Sequence, residues 1–91
     1  MVKRPVSEPQ EGKDTSDRAL DRFSPGERGV ILRLEGEPAT ARRLMELGLV
    51  PGTPIEMVRF APLGDPLEVS VRGLHLSLRR SDASLIRVSP R

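Results

Sequence analysis

Leu67-Glu68-Val69-Ser70-Val71-Arg72-Gly73-Leu74-His75-Leu76-Ser77-Leu78 decides the fold class. Apolar and polar residues alternate on both sides of Arg72-Gly73. That period belongs to strands with one buried face. Leu67, Val69 and Val71 are expected inward on the first arm, and Leu74, Leu76 and Leu78 on the second. Arg72-Gly73 is a tight turn between them, and His75 points outward.

Ala61-Pro62-Leu63-Gly64-Asp65-Pro66 precedes the hairpin as a connection with two prolines and a glycine. Pro66 suits the start of an edge strand and excludes a central one. Before it, Ile55–Phe60 reads as a strand. Pro51-Gly52 is the pair a type II turn prefers, because Pro fixes φ and Gly accepts a positive value. Residues 39–47, ATARRLMEL, are good helix formers. Pro38 suits the first turn of that helix and Gly48 its C′ position. Ala41, Leu44 and Met45 are spaced to share a face. Gly29–Leu34 reads as a strand with Val30, Leu32 and Leu34 on one face. Beyond the hairpin, Ser81 or Asp82 caps a single helical turn through Ala83-Ser84. Leu85–Val88 is a last strand with Ile86 and Val88 inward.

About five short strands and one short helix inserted after the first strand result. They are too short and too few for a sandwich. A small, partly open SH3-like β-barrel, mainly β, closes most of the edges that invite aggregation. The helix covers an open side.

Composition sets the boundary. Residues 1–22 hold five basic and five acidic side chains and few apolar ones. Such a segment buries too little to offset its ordering entropy, and it reads as a mobile tail with at most a helical turn over residues 16–22. The barrel domain is expected over residues 23–91. It holds ten arginines against eight acids, so the whole net charge of +2 lies there. The two lysines, Lys3 and Lys13, are in the tail.

The missing residue types exclude chemistries. With no Cys there is no disulfide, thiolate metal site or thiol nucleophile. One His and two Phe leave no His-rich metal site and no base-stacking platform. No apolar run reaches the ~20 residues of a membrane span, and no secretory signal is visible. No P-loop and no nucleophile–base pair appear, so no enzyme is expected.

Several segments keep one order: Ala41-Arg42-Arg43-Leu44-Met45-Glu46-Leu47-Gly48-Leu49-Val50-Pro51-Gly52, then Ile55-Glu56-Met57-Val58, then Ala61–Pro66, then Val71–Arg79, then Ala83–Val88. This order resembles the FeoA family, small cytoplasmic proteins of bacterial ferrous iron uptake, over roughly residues 23–89. The resemblance implies an SH3-like barrel. It also implies an accessory or regulator that binds the cytoplasmic, GTPase-bearing part of the membrane transporter FeoB. A cytoplasmic location follows, with recruitment to the inner membrane face by the partner. Weak self-association stays open.

Candidate partner contacts are Arg42, Arg43, Met45, Leu47, Leu49, Val50, Pro51, Leu63 and Asp65. Arg42 and Arg43 are either a solvated helix face, with Arg42 paired to Glu46, or an anchor for acidic groups. Leu47 to Gly52 is either a helix stop or an apolar docking patch with Met45 or Leu63. The Ala61–Pro66 connection is longer than a minimal turn needs, which leaves room for binding. No cofactor and no tight iron site are expected, since His75 is alone and nothing in the spacing of Glu68 and Asp65 demands a cation. Two alternatives remain: a nucleic-acid-binding SH3-like barrel, disfavoured by the interspersed acids, and a detached metal-sensing domain of an iron-dependent repressor.

Overall fold

The computed structural model describes residues 16–91. Its elements are β1 (Arg18–Ala19), a 3-10 turn (Leu20–Arg22), β2 (Arg28–Leu34), α1 (Pro38–Glu46), β3 (Pro54–Phe60), β4 (Leu67–Val71), β5 (Leu74–Leu78), α2 (Arg80–Ala83) and β6 (Ile86–Pro90). The strands form one antiparallel sheet in the order β1-β6-β2-β3-β4-β5. The β4–β5 hairpin is the one expected, with Val71 opposite Leu74.

The tail expectation for residues 1–15 lies outside the described residues. Residues 18–22, however, join the domain. Arg18 and Ala19 pair with Val88 and Arg87 of β6, and Leu20 is buried in the core. Composition hid this, because the attachment rests on few residues: a two-residue ladder, one buried leucine, and ion pairs from Asp17 and Asp21 to Arg33, Arg87 and Arg80. Arg18 adds to it. Its guanidinium meets both Glu27 carboxylate oxygens at 3.3 Å and lies 4.3 Å from the Phe23 ring centroid.

Two of the expected faces are displaced. In β2, Ile31 is buried and Leu32 is exposed, the reverse of simple alternation. The register of β2 against β6 shifts between Ile31 and Arg33. This bulge turns both Leu32 and Arg33 outward and returns Leu34 to the core. A second shift between Met57 and Arg59 does the same in β3, so Ile55, Met57 and then Phe60 face the core. In β5, Leu78 is buried and Leu76 packs against the core, but Leu74 is 64% exposed. Leu74 sits at the hairpin tip of an edge strand, where no further strand covers it.

Helix α1 begins at Pro38 and ends where expected, with Gly48 at φ 103°. The Gly48 N–H donates to the Met45 carbonyl at 2.9 Å, closing the last turn. Leu44 is the helix's buried anchor, whereas Met45 turns out to the surface. Pro51-Gly52 also turns as expected: Gly52 is at φ 91°, and the Thr53 N–H reaches the Val50 carbonyl at 3.2 Å. Gly29 serves a different purpose. A Cβ there would lie 2.5 Å from the Ser89 carbonyl oxygen, so only glycine lets β2 approach β6 this closely.

The core is continuous, from Leu20 and Phe23 through Ile31, Leu44, Leu49, Met57, Leu67 and Val69 to Ile86 and Val88. β1 and β5 do not pair with one another, so the sheet is open along that seam. A side chain bridges one corner of it: Arg80, just past β5, donates to the Asp21 carbonyl, just past β1, at 3.3 Å.

Candidate functional site

The Ala61–Pro66 connection is built rather than loose. Gly64 N–H donates to the Ala61 carbonyl at 2.7 Å, and Ala61 N–H to the Pro66 carbonyl at 3.0 Å. Arg80 braces it from α2: its Nε donates to the Gly64 carbonyl at 3.2 Å. Its own backbone N–H donates to Asp65 Oδ1 at 3.0 Å. At the tip of this braced loop, Leu63 is 96% exposed. An aliphatic side chain held out on ordered backbone costs little entropy to bury on a partner.

Helix α2 connects this loop to α1. Arg43 of α1 reaches Asp82 of α2 at 3.3 Å. The pair links the two helices, with Arg43 exposed and Asp82 half-buried, and adds little stability. Three of the candidate residues, Arg43, Leu63 and Asp65, are thereby joined through residues 80–83. Sequence reading passed over Arg80 in this role and gave Asp82 a capping role. Asp65 serves the first N–H of α2 instead, because the fold brings it there from a distant position.

The other candidates scatter. Met45 and Leu47 are exposed near the end of α1, Leu47 to 46%. Arg42 is exposed, and among the described residues it has no carboxylate partner, Glu46 included. Val50 is half-buried and Pro51 exposed. Pro51 lies before β3 and Leu63 after it, roughly 20 Å of strand apart at about 3.3 Å per residue. Leu49 is corrected outright: it is 0% exposed, a core residue and no docking contact. Its N–H donates to the Leu44 carbonyl at 3.2 Å, which folds the chain back under the helix.

Two clefts flank α2. One, of about 730 Å³, lies between the β1 segment and the barrel and is lined by Phe23, Phe60, Arg80 and Arg87 among others. The other, of about 470 Å³, is lined by Asp65, Pro66, Ser77, Leu78 and Arg79. Both aromatic rings of the chain are engaged by arginine: Arg18 over Phe23, and Arg80 at 5.4 Å from the Phe60 centroid. Phe23 is also buried and offers no face for stacking on a base.

His75 points outward as expected and sits 3.4 Å from Glu68 Oε2 through Nδ1. Glu68 also holds Arg59 at 3.3 Å. Ser70 faces His75 across the β4–β5 ladder, but the two side chains share no hydrogen bond. Among the described residues, no group of three or more His, Asp or Glu side chains is placed to hold a metal ion. No helix among them is long and apolar enough to cross a membrane.

The family model of the FeoA domain matches residues 18–90, starting where β1 starts. The chain belongs to the FeoA family. A fusion of Fe(2+) transport protein A with the Fe(2+) transporter FeoB from Porphyromonas gingivalis is 39% identical over 69 residues. The match covers 76% of this chain but 8% of that protein, so the chain spans only a small part of the curated relative it matches. The FeoA protein from Chlorobium tepidum has 44% sequence identity and a TM-score of 0.74, with 79% of this chain and 69% of that one covered. The FeoA of Stenotrophomonas maltophilia, an SH3-domain protein solved in complex with zinc, has 34% identity and a TM-score of 0.67. There 77% of this chain and 87% of that one are covered. The SH3-like fold read from strand alternation is the fold of these FeoA neighbours.

Proposed function

We propose that this FeoA-family chain is an accessory module that docks on the cytoplasmic, GTPase-bearing part of a FeoB-type ferrous iron transporter. The observation that carries the reading is the P. gingivalis relative, in which the FeoA part and FeoB are one polypeptide. Fusion keeps two modules at high effective concentration, which benefits modules that touch. On this chain the surface offered is Leu63 on its braced loop, with α2 and Arg43 beside it. Met45 and Leu47 add exposed apolar area on α1. The module acts by binding and brings no nucleophile, cofactor or bound metal of its own. It works in the cytoplasm, at the inner membrane face where its partner sits.

The test is binding of the full chain to a FeoB-type transporter held in nanodiscs, read by interferometry. Saturable binding that Leu63→Asp weakens about tenfold or more supports the proposal. Absence of binding, or binding indifferent to Leu63→Asp, rejects it.

A further inference from the structure

A second surface lies at the opposite end of the strands from Leu63. There a cavity of about 470 Å³ is lined by Arg28, Arg72, Arg91, Glu56, Pro54 and Ile55, among others. Six arginines of the described chain, such as Arg18 and Arg43, pair with carboxylates. Arg28, Arg72 and Arg91 have no carboxylate partner among the described residues. Three arginines without a side-chain ion pair therefore line one concavity.

Arg72 is the informative one. Among the described residues it is the sole non-glycine at positive φ, 53°, and Gly73 follows at 81°. A two-residue hairpin turn with both φ values positive favours Asn, Asp or Gly at its first position. Arginine is a poor local choice there. Such a mismatch marks a position where something other than the local backbone sets the residue. The side chain is also aimed: Nη2 donates to Oγ1 of the buried Thr53 at 3.4 Å. Arg91 is fixed beside Arg28 through its N–H, which donates to the Arg28 carbonyl at 2.9 Å.

The geometry points to a docking site for an acidic peptide segment of a protein partner. Guanidiniums take carboxylates through paired, charge-assisted hydrogen bonds. Glu56 favours a ligand that carries hydrogen-bond donors as well as negative charge. It is the ladder partner of Arg28, and the two form no ion pair. A bare phosphate-type anion meets repulsion from that carboxylate. A peptide brings N–H or O–H donors for Glu56 together with carboxylates for the arginines, and an aliphatic stem for Pro54 and Ile55.

The experiment is a titration of the full, isotope-labelled chain by NMR with an acetylated, amidated peptide of three glutamates and one serine. Its glutamine counterpart and inorganic pyrophosphate are the comparison probes. Saturable shifts confined to Arg28, Gly29, Glu56 and Arg72 are expected with the glutamate peptide, in the range of about 1 mM or tighter. Arg72→Asn puts the residue preferred by the turn in place. It is expected to keep or raise Tm while weakening the peptide about tenfold. Arg28→Gln, at an exposed position, provides a second variant with the same expected loss. The site is rejected if no saturable shift appears, or if pyrophosphate binds as well as the peptide. It is equally rejected if shifts spread to Arg42 and Arg79, or if both variants bind like the parent chain. Leu63→Asp leaves this titration unchanged, so its outcome is separate from that of the transporter test.

Discussion

The backbone N–H of Arg80 donates to the carboxylate of Asp65 at 3.0 Å, across fifteen residues of sequence. A loop residue thus fills the capping role at a helix that has no side-chain cap of its own. The same bond fixes the loop that presents Leu63.

Asp65→Ala should cost about 1 kcal/mol, the ordinary value of a lost cap, and Asp65→Asn much less. Urea unfolding measures the stability. Hydrogen exchange at Gly64 and Arg80 should rise together in the alanine variant, because one bond serves both segments. Independent exchange of the two would contradict the linkage.

Leu49 and Leu47 are two residues apart and should differ widely in their response. Leu49→Ala empties part of the core and should cost about 2–5 kcal/mol. Leu47→Ala removes a half-exposed side chain and should stay within about 0.5 kcal/mol. Thermal unfolding of the two variants gives the comparison. Similar losses would mean that Leu49 is not a core residue.

Glu27 carries the pH dependence. Its carboxylate accepts from Arg18 and from the Ser24 N–H, and the positive charge of Arg18 adds to this, so its pKa falls below the ordinary 4.5. A carboxyl whose folded pKa is lowered contributes stability above its unfolded pKa. It loses that contribution as the pH falls through the lowered value. The stability gap between the parent chain and Glu27→Gln should therefore be full at neutral pH and shrink below about pH 4. A gap that stays constant into acid would show that the charge of Glu27 does not matter.

Gly29→Ala should be among the most damaging single changes. Its Cβ meets backbone oxygen of Ser89 at 2.5 Å and Val88 Cγ1 at 2.6 Å. Overpacking typically costs about 1–3 kcal/mol, and a backbone oxygen yields less readily than a side chain. Denaturant unfolding reads the loss. A variant as stable as the parent chain would mean that β2 and β6 can separate at no cost.

Along Leu67–Leu78, period-two alternation and a turn pair sufficed to read the hairpin, because local pattern alone fixes which residues face the core. Pro38 and Gly48 likewise bounded α1, since one lacks an N–H and the other tolerates positive φ. In β2, alternation misled, because a bulge depends on how β6 pairs with it and leaves no mark in β2 itself. Leu63 was legible as part of a loop longer than a turn needs, and it is exposed there. Leu49 was misread because its burial comes from the chain folding back under α1.

A mainly β barrel, its hairpin and its helix limits were legible in the order of the residues alone. Those follow from local periodicity, turn residues and composition. Folding in three dimensions brings Arg18–Leu20 into the domain, sets Asp65 as the cap of α2, and lets Arg80 bridge one corner of the open seam. It also selects which arginines are paired and which three, without a side-chain ion pair, line the cavity at the far strand end. These are contacts between residues far apart in the chain, and their partners are chosen by the folded chain rather than by the neighbours in sequence.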